Sequence, residues 1–382
     1  MLDIGHSFLP TKFQRRPAFR SSCYCKKYKL DSFIAVVTLL NLKVKIITTT
    51  EFIPALLEKA IAAREHLLDA RHETAIRLFN GFVEGYPDIA IDLYATTAVI
   101  HNYADPAEQG AAAVDEALRV LQSRLPWIRV VILKTRNSQL AEERRGRILT
   151  GTIADRAVRE HDVWYAVDLC MNRDASLYLD TRNLRGWALQ HLSGKTVLNT
   201  FAYTGSLGVA ALAGGAKRVV QLDRSSLFLN LAKTSYEMNN FPVLKKDFII
   251  GDFWEQISRL KQQGEHFDCI FVDPPFFAVN HQQGVVDLVN NCTRMINKVR
   301  PLINDGGYLV TINNALFVSG KEYMETLNEL CADGYLKIAE LIPIPNDFAG
   351  YPQTRTGIPV TDPAPFNHST KIAILEVRRK KA

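Results

Sequence analysis

The sequence lacks the cysteine spacing of a zinc site or a disulfide framework. Its six cysteines are scattered over 382 residues, and no two of them form a Cys-x-x-Cys pair. Closely paired cysteines are typical of structural zinc sites and of small secreted domains. We therefore expect no metal site and a reducing compartment, the cytoplasm, in which disulfides are rare.

The sequence also lacks an apolar run long enough to cross a membrane. The longest candidate, residues 33–42, is shorter than the roughly 20 residues that a transmembrane helix needs. A basic segment precedes it and could imitate a signal peptide. That charged region is too long, however, and no Ala-x-Ala-like cleavage site follows. We expect no association with a membrane, and the sequence does not predict the oligomeric state.

Most of the chain has almost no net charge, although the total for the whole chain is +6. Residues 1–50 hold nine Lys/Arg and two Asp, so the remainder has 37 Lys/Arg against 38 Asp/Glu. This basic arm is interpreted as a disordered extension, an ordered strand region or a targeting segment. A nucleic-acid surface on the rest of the chain must then be a local patch. One basic run is either such a patch or a solvated loop, and it contains Lys134, Arg136, Arg144, Arg145 and Arg147.

The hydrophobic pattern divides the chain after the arm into two domains. Residues 51–160 contain a segment with the apolar spacing of a helix, three short strands with Gly and Pro turns, a second helix and another strand. This order is typical of a small α+β domain, which we interpret as a substrate- or RNA-binding domain. Residues 161–382 alternate strands with helices, which predicts an α/β fold with a Rossmann-like, doubly wound parallel sheet. Ligands bind such sheets at the carboxyl ends of the strands.

The stretch Thr196–Asp223 predicts a nucleoside site. It consists of a short apolar strand, a glycine turn, a helix of small residues and a second strand that ends in an acid. An acid about 20 residues after such a turn typically binds a ribose diol. Asn199, Asp252 and Asp273 also lie in or directly after apolar strands, so we expect all of these polar residues at one edge of the sheet.

A second informative stretch, Asp268–Phe277, contains Asp273-Pro274-Pro275. The prolines fix the backbone and remove two N–H donors, so that only acceptors are presented beside the Asp273 carboxylate. An exocyclic amine suits this arrangement, because its two N–H groups can donate to Asp273 and to the Pro274 carbonyl. A base ring could then stack on Phe276 or Phe277. The alternative is that Asp-Pro-Pro is only a turn that ends a strand.

Four motifs together resemble a known family. They are Asn199–Gly205, Asp223, Gly251-Asp252 and Val272–Phe276, with weaker similarity in Ser176–Arg182 and in Arg77–Asp92. They resemble the class I S-adenosylmethionine-dependent methyltransferases. More narrowly, they resemble the large-subunit ribosomal RNA methyltransferases that make 5-methylcytosine or 7-methylguanine. The resemblance covers about residues 70–340.

The resemblance implies S-adenosylmethionine as the cofactor and RNA as the partner. Residues 203–205 would approach the methionine part, Asp223 the ribose, Asp252 the adenine, and Asp273 the point of methyl transfer. The residues expected to bind the cofactor are Asn199, Tyr203, Thr204, Gly205, Asp223, Asp252 and Asp273. Those expected at the catalytic centre are Asp273, Pro274, Pro275 and Phe276.

Two departures from the family pattern limit what can be carried over. The family's N-terminal RNA-binding β-barrel has no counterpart in residues 1–50. The 5-methylcytosine members also carry a cysteine after the fifth strand, where this chain has Thr311-Ile-Asn-Asn314. Carbon 5 of a pyrimidine becomes nucleophilic only after a thiolate adds at carbon 6, so that cysteine is required. The other position for it is Phe276 here. Cys269 is interpreted as core, and Cys292 and Cys331 lie on predicted helices.

The sequence therefore predicts a methyltransferase that acts on a base nitrogen of RNA, ribosomal RNA in particular. Asn313 and Asn314 are either base-edge contacts or ordinary polar residues at a strand end. Three alternatives remain. The chain could be a carbon-5 cytosine enzyme with an unrecognised cysteine, or a methyltransferase of protein or small-molecule nitrogen. It could also be a non-catalytic RNA-binding protein that retains the cofactor fold.

Overall fold

The computed structural model describes residues 49–275, 277–280 and 284–379. Three predictions therefore lie outside what is described: those for nearly all of the basic arm, that for Phe276, and that for the side chain of Phe277. Among the described residues, we find no helix that combines the length and the apolar character needed to cross a bilayer.

The first part of the chain forms a five-stranded sheet in the order β1-β2-β3-β4-β5. Its strands are β1 (Ala75–Asn80), β2 (Ile89–Tyr94), β3 (Thr97–Asn102), β4 (Val130–Thr135) and β5 (Arg147–Thr150). The associated helices are α1 (Thr49–Arg64), α2 (Gly81–Glu84), α3 (Ala111–Arg124) and α4 (Ala141–Arg145), with 3-10 turns at Glu65–Leu67 and Ala107–Gly110. The three predicted short strands are β1, β2 and β3, and they form an antiparallel meander. β4 pairs with β3 in parallel, because α3 supplies the crossover that a parallel pair needs.

Both faces of this sheet are covered, which explains why its first strands are buried throughout. α1 and α3 pack on one face through apolar residues such as Leu57 and Leu121. The other face, with Val99 and Ile132, packs against residues from the second half of the chain. Between the two sheets lies a hairpin of β6 (Ala157–Glu160) and β7 (Val163–Ala166). The predicted domain boundary at residue 160 falls in this hairpin and stays a prediction.

The second part of the chain contains a seven-stranded sheet in the order β10-β9-β8-β11-β14-β16-β15. Its strands are β8 (Thr196–Thr200), β9 (Arg218–Asp223), β10 (Phe248–Ile250), β11 (Phe267–Val272), β14 (Ile303–Asn313), β15 (Leu336–Ile342) and β16 (Lys371–Val377). A separate hairpin, β12 (Phe277–Asn280) and β13 (Gly284–Asp287), follows β11. The helices are α5 (Arg182–His191), α6 (Ser206–Ala213), α7 (Ser226–Met238), α8 (Phe253–Gln262), α9 (Leu288–Val299), α10 (Gly320–Cys331) and α11 (Asn346–Ala349). Further 3-10 turns lie at Leu179–Thr181, Lys245–Asp247 and Arg300–Leu302.

The first five strands of this sheet in spatial order are parallel to one another. β16 is antiparallel to both of its neighbours, β14 and β15, so the edge strand β15 runs in the same direction as the first five. This confirms the predicted Rossmann-like α/β fold. Alternate residues of each strand face opposite layers. Leu198 and Ile270 contribute to the core on the side of α8, α9 and α10. Val197 and Phe271 contribute to the core on the side of α5 and α6. The strand order reverses between β8 and β11, and this is where open α/β sheets bind ligands.

A buried ion pair anchors the segment that precedes α5. Arg185 is fully buried, and its Nε and Nη2 donate to the Glu160 carboxylate at 2.7 and 2.8 Å. Its Nη1 donates to the Tyr178 carbonyl and to Thr181 Oγ1, both at 2.8 Å. All three polar atoms of the guanidinium are therefore satisfied. The pair joins the hairpin β6-β7 to residues 178–181.

Removing one partner of this pair should be strongly destabilising. Glu160→Ala leaves the Arg185 guanidinium buried without its carboxylate, so we expect a loss of about 3–5 kcal/mol in the free energy of unfolding. Glu116→Ala is the matched control, because the Glu116–Arg119 pair lies at the surface. The control should cost about 0–1 kcal/mol. Urea unfolding of both variants measures the difference, and equal losses would contradict the anchoring role.

Candidate active site

A cavity of about 700 Å³ lies at the carboxyl edge of the seven-stranded sheet and extends to the five-stranded sheet. Of the residues that the sequence predicts for the site, it is lined by Tyr203, Asp223, Asp252, Asp273, Pro274 and Pro275. A more open groove of about 940 Å³ contains none of the predicted residues. The first cavity is therefore the candidate active site, because chemistry-bearing side chains converge there.

Asp223 lies at the end of β9 and holds the turn that follows β8. Its Oδ2 accepts the Tyr203 backbone N–H and its Oδ1 accepts the Ser225 backbone N–H, both at 2.8 Å. Each carboxylate oxygen has a second lone pair, so Asp223 can still accept the two hydroxyls of a ribose. Burial raises the pKa of this carboxyl, and the backbone N–H donors oppose that rise.

The turn between β8 and α6 has an unusual backbone that fits a site for a bound nucleoside. Phe201, Tyr203 and Gly205 all adopt positive φ values of 52°, 50° and 76°. Such conformations are costly for residues other than glycine and cluster at ligand sites. A Cβ atom at Gly205 would lie 2.6 Å from the Cβ of Ala232, so only glycine fits there. The close packing brings the start of α6 against α7.

Asp252 forms the opposite end of the predicted nucleoside site. It is the N-cap of α8, where its Oδ1 accepts the Trp254 backbone N–H at 2.9 Å. Phe253 and Trp254 line the cavity beside it. A carboxylate oxygen that remains available next to aromatic rings suits an adenine, whose amino group donates and whose ring stacks. The residues present at this end therefore fit the predicted cofactor.

Asp273, Pro274 and Pro275 line the cavity directly after β11. Burial, and next the neighbouring charge of Asp180, raise the pKa of Asp273 from the ordinary 3.8 to about 7. Asp273 can thus act as a hydrogen-bond acceptor when ionised and can hold a proton near neutral pH. Asn314 also lines the cavity. Asn313 instead is buried, and its Oδ1 accepts the Ala315 backbone N–H at 3.0 Å.

Three predicted cofactor residues do not line the cavity and instead shape the turn. The Asn199 Nδ2 donates to Gln221 Oε1 at 2.9 Å, and Gln221 Nε2 donates to the Gly205 carbonyl at 3.1 Å. The Thr204 hydroxyl donates to the Ser176 carbonyl at 2.5 Å. The side chains of Asn199 and Thr204 are buried. Direct cofactor contact by Asn199, Thr204 and Gly205 stays a prediction.

Sequence reasoning missed a charged cluster that the five-stranded sheet contributes to the cavity. Arg77 donates to both oxygens of Asp92, at 2.7 and 3.0 Å, and His101 Nε2 lies 3.0 Å from Asp92 Oδ2. All three residues are buried and line the cavity. Arg77, as the nearby charge, holds the pKa of Asp92 well below its usual value despite burial. The sequence does contain one signal for this cluster: charged residues stand in predicted strands whose other residues are mostly apolar.

The basic run that begins at Lys134 is neither simply a solvated loop nor simply a nucleic-acid patch, because two of its side chains bind a neighbouring segment. Lys134 is fully buried, and its ammonium donates to the carbonyls of Arg145, Asn172 and Asp174. Arg136 Nη2 donates to the Asp174 carboxylate at 3.1 Å. The interpretation of Lys134 as a surface charge is therefore wrong. The segment around residues 172–174, which lines the cavity, is held in place by these two side chains.

The cysteines of the described residues lie away from the cavity wall. Cys269 is fully buried in β11, and burial raises its thiol pKa well above the usual value. Cys292 is also buried, with its Sγ 4.0 Å from Thr311 Oγ1, and burial raises its pKa to about 11. A nucleophilic cysteine needs a lowered pKa and access to the substrate. Within residues 49–379, apart from the undescribed positions, no group of three or more metal-binding side chains is found either.

Comparisons with known proteins identify a matching family and several relatives. The sequence model of a family described as S-adenosylmethionine-dependent methyltransferase matches residues 77–350. Ribosomal RNA large subunit methyltransferase I of Enterobacter sp. (strain 638) is 31% identical over 287 residues, covering 72% of this chain and 69% of that protein. The protein of the same name from Photobacterium profundum is 28% identical over 299 residues, covering 77% of this chain and 74% of that protein.

A solved structure supports the fold. A methyltransferase crystallised with S-adenosylhomocysteine (SAH) superimposes with a TM-score of 0.74 at 21% identity, covering 86% of this chain and 82% of that chain. The family match runs from within β1 to α11 and includes the whole of the turn, Asp223, Asp252 and Asp273.

Asp223 should contribute to cofactor affinity through charged hydrogen bonds. Each such bond is worth about 1.5–3 kcal/mol, so Asp223→Ala should weaken S-adenosylmethionine binding by roughly one to two orders of magnitude. Asp115→Ala, on the exposed face of α3, is the control and should bind normally. Calorimetry measures both affinities. An unchanged affinity for Asp223→Ala would rule out the ribose contact.

Asp273→Asn should separate activity from stability. Methyl transfer should fall by roughly 10²-fold or more, because the carboxylate acts mainly on the transition state, while cofactor affinity stays nearly constant. Since the folded pKa of about 7 lies above the ordinary 3.8, the contribution of Asp273 to wild-type stability falls as pH rises through that interval. The variant does not titrate there. Its free energy of unfolding relative to wild type should therefore increase from pH 5 to pH 8, and a decrease would contradict the raised pKa.

Proposed function

The chain belongs to the family of S-adenosylmethionine-dependent methyltransferases, and from this premise we propose that it methylates a base nitrogen of RNA, ribosomal RNA in particular. The observation that carries the proposal is the placement of Asp273, Pro274 and Pro275 in one cavity with Asp223 and Asp252. That arrangement puts acceptors for an N–H group next to the residues that fit the nucleoside.

The chemistry follows from the acceptors at the end of β11. S-adenosylmethionine supplies a methyl group on a positively charged sulfur, so no metal is needed to activate it. Asp273 and the Pro274 carbonyl hold the N–H groups of the target amine, which turns its lone pair away from the ring. An amine that gains a methyl group must lose one proton. Asp273, with a pKa raised to about 7, can accept that proton.

An RNA substrate is supported by the relatives and by the charge around the cavity. Both curated relatives carry the name ribosomal RNA large subunit methyltransferase I. The side chains of Arg136 and Arg224 line the cavity, and Arg224 is exposed. Arginines at such positions suit the phosphates of a nucleotide that enters. A cytoplasmic location belongs to the same proposal, because ribosomal RNA is modified where ribosomes are assembled.

A nitrogen target is favoured by the positions of the thiols. A carbon-5 enzyme forms a covalent thioether with the pyrimidine, and the thiolate must reach carbon 6. Cys269 and Cys292 are buried with raised pKa values, and neither lines the cavity. At the position after β14, the residue that lines the cavity is Asn314, an amide that can hydrogen-bond a base edge but cannot add to it.

Comparing modified nucleosides in ribosomal RNA from a deletion strain and its parent tests the substrate. The deletion should remove one N-methylated nucleoside, and re-expression of the chain should restore it. Asp273→Ala should fail to restore it, which separates catalysis from a non-catalytic role in RNA binding. If ribosomal RNA were unchanged and a methylated protein or metabolite were lost instead, the RNA assignment would be wrong.

Single Cys→Ala substitutions distinguish nitrogen from carbon chemistry. Each of the six variants should keep at least roughly a tenth of the methylation rate, whereas loss of a true nucleophile costs several orders of magnitude. RNA containing 5-fluorocytidine should form no covalent adduct with the wild-type protein. An inactive but folded Cys→Ala variant, or an adduct that resists denaturation, would show carbon-5 chemistry.

A further inference from the structure

The segment before α5 forces one aromatic ring into the cavity. Leu177 and Leu179 are only 4% and 2% exposed and belong to the core between the two sheets. Tyr178 lies between them and is 44% exposed. Its backbone carbonyl accepts the Arg185 guanidinium at 2.8 Å, which fixes the chain at this point. With both neighbours buried, the Tyr178 side chain is directed to the other side, where it lines the cavity.

The Tyr178 ring is held at its tip and along its side. Its hydroxyl donates to Asp174 Oδ2 at 3.2 Å. Its ring centroid lies 5.1 Å from that of Tyr203 in the turn after β8. A large apolar surface that is exposed and yet held in one orientation is not explained by packing. It is the kind of rigid face that proteins use to stack a base.

Tyr178 is also placed beside the acceptors of the methyl-transfer point. Tyr178 and Asp273 line the same cavity with Pro274 and Pro275, and burial first, with Asp174 and Asp273 among the smaller causes, raises the pKa of the Tyr178 hydroxyl. A base whose amine is held by Asp273 therefore has its ring within the part of the cavity that Tyr178 borders. A stacked ring would be kept in the plane in which its nitrogen faces the cofactor site.

We propose that Tyr178 is the aromatic face on which the target base stacks while Asp273 holds its nitrogen. The proposal rests on the proposed function, in that it assumes a nucleobase substrate. It assigns Tyr178 to positioning the base, and it does not require a stacking role for Phe276 or Phe277. The phenol group serves only to orient the ring through Asp174, so the ring itself is the part that matters.

Substitutions that separate the ring from the hydroxyl test this role. Tyr178→Phe should retain methylation of ribosomal RNA within about 3-fold. Tyr178→Leu, which keeps apolar bulk without a π face, and Tyr178→Ala should lower kcat/KM by roughly 5–100-fold, as loss of one base stack does. Tyr335→Leu is the matched control, because Tyr335 does not line the cavity. All variants should bind S-adenosylmethionine within about 3-fold of wild type.

Two rate outcomes would overturn the proposal. The first is a Tyr178→Leu variant as active as Tyr178→Phe. The second is a loss of cofactor affinity in Tyr178→Leu that accounts for its whole loss of rate. Either result would reduce Tyr178 to a packing residue of the cofactor turn.

A second measurement does not depend on which RNA is the substrate. Protein labelled with 3-fluorotyrosine and saturated with S-adenosylhomocysteine is titrated with AMP, GMP, CMP and UMP. The ¹⁹F resonance missing from Tyr178→Phe identifies Tyr178. It should shift with at least one nucleotide and stay unchanged with ribose 5-phosphate, which has no base.

The two measurements together separate failure of this proposal from failure of the proposed function. A shift without any RNA methylation would keep the stacking face and reject the RNA substrate. RNA methylation with no nucleotide-dependent shift, and with Tyr178→Ala fully active, would reject the stacking face and keep the function.

Discussion

The register of the parallel strands is the constraint on which the whole site depends. Val272 of β11 pairs with Thr200 of β8, Thr200 pairs with Leu222 of β9, and Leu222 pairs with Ile249 of β10. These strands therefore end level with one another, and the residues that follow them lie in one row. A slip of one residue would move a side chain by about 3.3 Å and turn it to the other face. The convergence of Asp223, Asp252 and Asp273 is a consequence of this register.

The remaining walls are irregular segments, and buried cations hold them. At the wall formed by residues 172–174, Lys134 donates to three backbone carbonyls. At another wall, Lys371 donates to the carbonyls of Ala315, Val318 and Ser369. Loop carbonyls have no partner in a sheet ladder, and leaving them unpaired in the interior is costly. An ammonium group supplies three donors at one point. Both lysines are fully buried, so each one fixes a wall that the sheet cannot fix.

The sequence was sufficient for the strands that carry the motifs and for placing the motif residues at the ends of these strands, because both are local patterns. It did not predict β5, β15 or the β12-β13 hairpin. Apolar runs predict β8, β9, β10, β11 and β16, and the glycine turn with its acid predicts a nucleoside site. The parts that could not be predicted depend on packing between distant segments. Arg77, Asp92 and His101 reach the cavity only because the two sheets pack together. Tyr178 was part of a recognised motif, but its exposure follows from the burial of its neighbours. Asn199 was placed at the correct edge, yet its side chain turns inward to Gln221.

The charges of the cavity explain how one site can suit a cationic cofactor and a base from a polyanion. Its lining includes six aspartates but only three arginines: Asp92, Asp174, Asp180, Asp223, Asp252 and Asp273 against Arg77, Arg136 and Arg224. Arg77 is occupied by Asp92, which leaves the interior rich in acceptors. Such an interior attracts a sulfonium and amine N–H groups, and it repels phosphate. In the proposed reaction, the backbone of the RNA would therefore stay at the rim, and only the base would enter. Burial, and next the charge of Asp180, raise the pKa of Asp273 to about 7, so the same buried and acidic interior also allows this acid to take up a proton near neutral pH.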